Sequence, residues 1–191
     1  MHPVATTTSR SSGSRRAWTR SEAARKKSEA PPLQRARDVA VRFLAAAART
    51  ERQVRARLAR AELSGQADAV IEWLRELRYL DDAAYARGRA RSLVASGRMG
   101  PRTAERRLMQ AGIAAGAARA AVAGALAEEA PGGEAAQCLA LALRRARGRP
   151  LEALDARARA RLARFLLGRG FSGSAVARAL GGFEDRELED P

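Results

Sequence analysis

From about residue 36 the apolar residues of this chain fall at helical spacing, and the pattern recurs three times. Val39, Phe43, Ala46 and Ala47 are spaced i, i+4, i+7, i+8. Ala86, Ala90, Leu93 and Val94 repeat that spacing, and so do Ala135, Leu139, Ala142 and Leu143. Each set draws one apolar stripe along an amphipathic helix. Further along each unit comes a second pattern: Leu58, Leu63, Val70, Leu74, then Leu108, Ile113, Val122, Leu126, then Leu166, Phe171, Val176, Leu180. The first and last steps are constant, and the middle step varies as a loop between two helices would. Units of about 45–55 residues are the scale of stacked repeats. The pattern predicts an all-α protein: three tandem three-helix repeats in an elongated, curved array.

Punctuation residues agree with these units. Thr50-Glu51-Arg52-Gln53 has the T-x-x-Q form of a capping box, predicting the start of a second helix. Gly100-Pro101 does the same in the second unit, with proline suited to the first helical position. Pro150 is expected to open a longer third-unit helix toward Leu167. Gly112 and Gly170 stand where helices should stop, each one residue before an apolar Ile113 or Phe171. The stretch WLRELRYLDD (residues 73–82) places two acids at a seam. Leu74 and Leu77 should finish a helix, and Tyr79 and Leu80 should pack across the joint. Asp81 is placed to cap the next helix, with Asp82 in its first turn, where negative charge suits the helix dipole. Tyr79, Leu80, Asp81, Asp82, Gly100 and Gly112 are therefore read as structural junction residues. The resulting division is a basic tail over 1–35, repeats over 36–80, 81–130 and 131–185, and an acidic end over 186–191.

Composition narrows the function. The 191 residues carry 36 basic and 21 acidic side chains, a net charge of +15. That surplus calls for a polyanionic partner such as nucleic acid, or for an acidic protein surface. His2 is the only histidine and Cys138 the only cysteine, too few for a zinc site, a Cys/His catalytic pair or a disulfide framework. Cys138 lies in an apolar run and reads as a small core residue. No P-loop motif occurs, and no lysine follows Lys27. No acids stand out as a catalytic pair. The reading is a binding protein without enzyme activity, cofactor or metal. Residues 1–35 hold eight basic residues against two acids and almost no large apolar ones, which predicts a disordered basic tail. No apolar run approaches the roughly 20 residues that span a bilayer. The expectation is a cytoplasmic monomer.

A family resemblance enters at the junction. Tyr79-Leu80-Asp81-Asp82, Tyr85-Ala86, Arg89, Gly100-Pro101, Leu108 and Gly112-Ile113 together resemble the signature of RecX, the bacterial regulator of the RecA recombinase. Thr50-Glu51, Val54, Leu58, Ala69-Val70 and Leu74 are similar to that family's first repeat. The resemblance spans about residues 36–183 and is densest over 50–113. It implies three tandem three-helix repeats that bind RecA and lie in the groove of the RecA–DNA filament. It further implies limited filament extension, with strand exchange, ATP hydrolysis and co-protease activity depressed, and so a part in recombination, DNA repair and the SOS response. The long basic leader and the arginine-heavy third repeat depart from the pattern.

Charge by segment suggests where contacts lie. Residues 37–82 carry nine arginines and eight acids, residues 83–129 eight and three, and residues 130–191 eleven and eight. On this division the middle repeat is the most unbalanced ordered part. Arg87, Arg91 and Arg98 fall on one narrow stripe of its first helix at about 100° per residue, and Arg102 and Arg106 follow on the next. These five are the expected contacts to DNA phosphates or to RecA, with single-stranded DNA the first ligand and double-stranded DNA a second. Trp73 flanks the core stripe of its helix and should pack, whereas Trp18, in the tail, is placed to stack on a base. Charge and repeats alone lead equally to a stand-alone helical-repeat binder of DNA or RNA.

Overall fold

A computed structural model describes residues 31–181. Among these residues there are nine α-helices, two short 3-10 turns and no strand. Helices α1 (Pro32–Ala46), α2 (Glu51–Ala59) and α3 (Ala67–Glu76) form the first repeat. The second comprises α4 (Asp82–Ala95), α5 (Pro101–Ala111) and α6 (Ala115–Glu129). The third comprises α7 (Gly133–Ala146), α8 (Ala156–Gly168) and α9 (Gly173–Ala179). Each repeat closes its own hydrophobic core. The leader's first 30 residues, Trp18 among them, and residues 182–191 lie outside the described residues. No described helix is long and apolar enough to cross a membrane.

The second apolar pattern forms the centre of every core. Leu58, Leu63, Val70 and Leu74 are buried, as are Leu108, Ile113, Val122, Leu166, Phe171, Val176 and Leu180, and Leu126 is partly buried. The first-helix stripe holds in the second repeat, where Ala86, Ala90, Leu93 and Val94 are all buried. In the outer two repeats it is shifted by three residues, close to one turn. The first buries Ala36 and Ala40 rather than Ala46 and Ala47, with Val39 and Phe43 partly buried. The third buries Cys138 and Ala142, while Leu139 and Leu143 are 39% and 48% exposed. The physical reason is helix separation. In the third repeat the first and third helices pack closely, and small side chains at i and i+4 permit that approach where leucines would hold the axes apart.

Most helix ends follow the sequence. Thr50 and Gln53 form both halves of a capping box on α2. Asp81 accepts from the Ala84 amide at 2.8 Å and caps α4. Gly100 precedes Pro101 at the start of α5, and Gly112, at φ +107°, closes it. One start differs: Pro150 leads only into the 3-10 turn Leu151–Ala153, and α8 begins at Ala156. Asp155 sets that start, because its carboxylate accepts from the Ala158 amide at 2.7 Å. Tyr79 does not pack across the joint. Arg78 takes a left-handed φ of +56° after α3, and of the next two residues only Leu80 turns inward, leaving Tyr79 62% exposed.

Successive repeats join end to end through their second helices. The end of α8 meets the start of α5: Gly100 N–H donates to the Arg169 carbonyl at 2.9 Å and Arg102 N–H to the Gly170 carbonyl at 3.2 Å. The end of α5 likewise meets the start of α2, where Thr50 Oγ1 donates to the Ala111 carbonyl at 2.5 Å. Donors at one helix N-terminus, amides in the first seam and a hydroxyl in the second, are thereby matched to unpaired carbonyls of another helix's C-terminus. Asp82 completes this seam by accepting from the Glu51 amide at 2.9 Å. Of the two adjacent acids, Asp81 starts its own helix and Asp82 ties the repeat to its neighbour.

Candidate polyanion-binding site

The third repeat is the most basic part of the described chain. Residues 130–181 hold ten arginines and three acids, a net +7. Over 130–191 this surplus is masked, because residues 182–191 add five acids and one arginine. Among the described residues none of the ten arginines forms an ion pair. Two of the three acids have structural work. Glu134 accepts from the Ser172 amide at 2.6 Å and its hydroxyl at 3.0 Å, and Asp155 caps α8. Only Glu152 is left exposed and uncommitted.

The guanidinium groups gather where α7 ends and α8 runs past. Arg145, Arg147, Arg149 and Arg161 rim an open groove of about 410 Å³. Its apolar side comes from Ala146, Leu154, Ala158, Leu162 and Phe165. Arg145 and Arg169 both stack on the Phe165 ring, at 5.2 and 5.0 Å from its centroid. Arg147 closes α7 in the left-handed region at φ +53°, and Gly148 follows at φ +80°. A side chain in that conformation costs roughly 1 kcal/mol, so an arginine here stands against local preference. Planar guanidinium forks match phosphate oxygens in pairs, and the apolar floor suits the edges of sugars and bases. Nothing nucleophilic attends the groove: burial, followed by the charge of Glu134, pushes the Cys138 thiol up to about 11, so it stays protonated at neutral pH.

The repeat is anchored so that the groove lies beside the second repeat. Gln137 donates to the Val94 carbonyl at 3.0 Å, and Arg144 donates to the Gly97 carbonyl. Both engage the carbonyl end of α4, where cationic and N–H groups are favoured.

The five arginines expected from the sequence are all exposed, but only Arg87 and Arg91 line a common hollow, between α4 and α6. Arg91 is neutralised there by Glu128 at 2.5 Å and Glu129 at 3.2 Å. Glu128, first through its hydrogen bond, also raises the Arg91 pKa. Arg98 lies past the end of α4, off the helical stripe, yet directly after the Gly97 carbonyl that Arg144 holds. Arg102 stands on the seam beneath Gly170, and Arg106 is exposed further along α5. The grouping of Arg145, Arg147, Arg149 and Arg161 was not singled out by sequence spacing. Counting charge only as far as Leu180, the last position of the second apolar pattern, would have exposed it.

In the first repeat four of the nine arginines serve the fold. Glu51 binds Arg55 and Arg75, and Arg55 also binds Asp68. Arg37 stacks on Trp73 and Arg49 on Phe43. Trp73 therefore packs, as its flanking position suggested.

Comparison with known proteins agrees with this architecture. Residues 36–74 match the sequence model of the RecX first three-helix domain, and residues 133–180 that of the RecX third three-helix domain. The fold is similar to the crystal structure of RecX from Lactobacillus salivarius, with a TM-score of 0.67 and 19% identity, over 82% of this chain and 96% of that one. It is also similar to a crystal structure of regulatory protein RecX, with a TM-score of 0.62 and 24% identity, over 83% of this chain and 77% of that one. Comparison with curated proteins gives no match. The first and third domain matches fall on the first and third repeats, in order and in place, and the chain belongs to the RecX family.

Proposed function

We propose that this protein regulates the RecA recombinase by lying along the RecA–DNA filament, with the arginine groove of its third repeat on the DNA phosphates. The family is one of regulatory proteins rather than enzymes. One observation carries the placement: ten arginines without a single ion pair among the described residues, four of them rimming one groove. Arg98 follows the Gly97 carbonyl that Arg144 of the third repeat holds, and Arg102 and Arg106 are exposed on α5 as further contacts. A rigid array so placed limits filament extension, and with it ATP hydrolysis, strand exchange and co-protease activity. The protein acts as a monomer in the cytoplasm.

The test is RecA ATPase on single-stranded DNA in fixed excess, titrated with the protein and with its R147A/R149A/R161A variant. The parent protein should inhibit well below one molecule per RecA protomer. The variant should lose roughly 100-fold in potency, since three charge-assisted hydrogen bonds at about 1 kcal/mol net each amount to that factor. On bare DNA its salt slope should fall by about two units. Inhibition that appears only when the protein covers the DNA lattice would reduce the protein to a stand-alone nucleic-acid binder. An unchanged slope would remove the groove from the DNA contact.

A further inference from the structure

We infer that the third-repeat groove is also a docking site for the chain's own residues 182–191, which compete there with polyanions. The inference shares its groove with the function proposed above, but it stands on a separate complementarity. The sequence after Gly181 is GFEDRELEDP: five acids, one arginine, and two large apolar residues, Phe183 and Leu188. The groove offers the converse, with Arg147, Arg149 and Arg161 around an apolar side of Leu154, Leu162 and Phe165. A nucleic acid would meet the guanidiniums with its phosphates and that apolar side with the edges of its sugars and bases. An acidic segment carrying Phe and Leu uses both as well.

The fold delivers the segment to the right end of the repeat. Ser172, which caps α9, is held by Glu134 in the first turn of α7, so the two helices start side by side. Cys138 and Ala142 share a core with Val176, Ala179 and Leu180, so α9 packs on α7 from that shared start. With 7 residues against 14, α9 stops about halfway along α7. Arg145 and Arg147, at the end of α7, stand about 5–10 Å further along that helix. Ten residues reach at most about 33 Å, ample for the distance. Gly181, exposed and at φ +77°, is the turn from which the segment leaves.

A tethered ligand competes at an effective concentration of order 1 mM, so a segment that binds in trans at about 0.1 mM would weaken polyanion binding roughly ten-fold. The balance shifts with salt for both ligands, but more steeply for the one with more charges. The protein would thus prefer long, densely charged lattices over short polyanions, which cannot displace the segment.

The test uses a fluorescein-labelled peptide of residues 182–191 and anisotropy, without nucleic acid or recombinase. The peptide should bind a chain ending at Gly181 and bind the full chain at least about ten-fold more weakly. A full chain with E184Q, D185N, E187Q, E189Q and D190N should bind the peptide like the shortened one. A peptide with F183S and L188S, of the same charge, should lose most of its affinity, as should the parent peptide toward R147A/R149A/R161A protein whose circular dichroism is unchanged. Equal binding to full and shortened chains would overturn the inference, and so would an F183S/L188S peptide that binds as well as the parent. Peptide binding at the groove while the groove variant keeps its DNA salt slope would uphold this inference and sink the DNA-contact proposal. No peptide binding, with the DNA slope reduced, would do the reverse.

Discussion

The first and third repeats are the same unit with opposite surfaces. Both bury small residues at i and i+4 of the first helix, Ala36 and Ala40 in one, Cys138 and Ala142 in the other. Both place a leucine, then an apolar residue five positions on, around a left-handed turn: Leu58 and Leu63 about Glu62, Leu166 and Phe171 about Gly170. Outside that shared interior they part. Residues 37–82 carry nine arginines and eight acids, and the acids hold Arg55 and Arg75 in a network through Glu51 and Asp68. Residues 130–181 carry ten arginines and no ion pair among the described residues. An arginine count alone would rank the two alike. What separates a structural surface from a binding one is whether the charge is already answered within the fold.

The largest expected effect falls on the left-handed turn, where the repeats use different residues for one job. Gly170→Ala should destabilise the third repeat by about 2–4 kcal/mol, because a Cβ there overlaps Thr103 and an L-residue resists this φ. Urea denaturation measures the loss, and alkylation of buried Cys138 reports opening of that repeat specifically. A mild effect would mean that the seam between the second and third repeats is looser than its hydrogen bonds imply.

At the matching position the first repeat holds Glu62 at φ +59°. Glu62→Gly should raise stability by about 0.5–1 kcal/mol, as relief of the left-handed strain exceeds the entropy that glycine adds to the unfolded chain. A raised urea midpoint with unchanged DNA affinity is the expected result. Loss of stability would show that Glu62 makes an interaction beyond its backbone.

The smallest effects sharpen the contrast in charge. Arg55→Ala removes two exposed ion pairs and should lower stability by about 0.5 kcal/mol, with DNA affinity changed less than about two-fold. Arg161→Ala should do the opposite, leaving the melting temperature alone and reducing the salt slope on single-stranded DNA by about 0.7. If both substitutions weaken DNA binding equally, pairing is not what distinguishes the two surfaces.

Much of the fold was legible because helices announce themselves by period and punctuation. The second-pattern residues, the Thr50 capping box, the Asp81 cap and the Gly112 and Gly170 stops are local signals, each read within a turn or two of chain. The displaced stripes of the outer repeats were not legible for a related reason. On an alanine-rich helix several faces are apolar, and only the approach of a second helix decides that Cys138 and Ala142, rather than Leu139 and Leu143, are inside. Asp82 shows the same boundary: its place in a first turn follows from sequence, while its bond to the Glu51 amide depends on the neighbouring repeat. The arginine groove lies further still from sequence, since Arg145, Arg149 and Arg161 meet only when α7 and α8 fold together. The neutralisation of Arg91 by Glu128, 37 positions away, is equally invisible in a helical-wheel reading.

The end-to-end seams bear on how far such a chain can drift while keeping its shape. Where the end of α8 meets the start of α5, the partners are backbone amides and carbonyls, groups that nearly every residue supplies alike. Substitution there is limited by size, at Gly100 and Gly170, and hardly at all by chemistry. A joint of this kind transmits geometry without recording much sequence. Two proteins can then share an architecture at a TM-score of 0.67 with four residues in five different, and their surfaces are left open to diverge one repeat at a time.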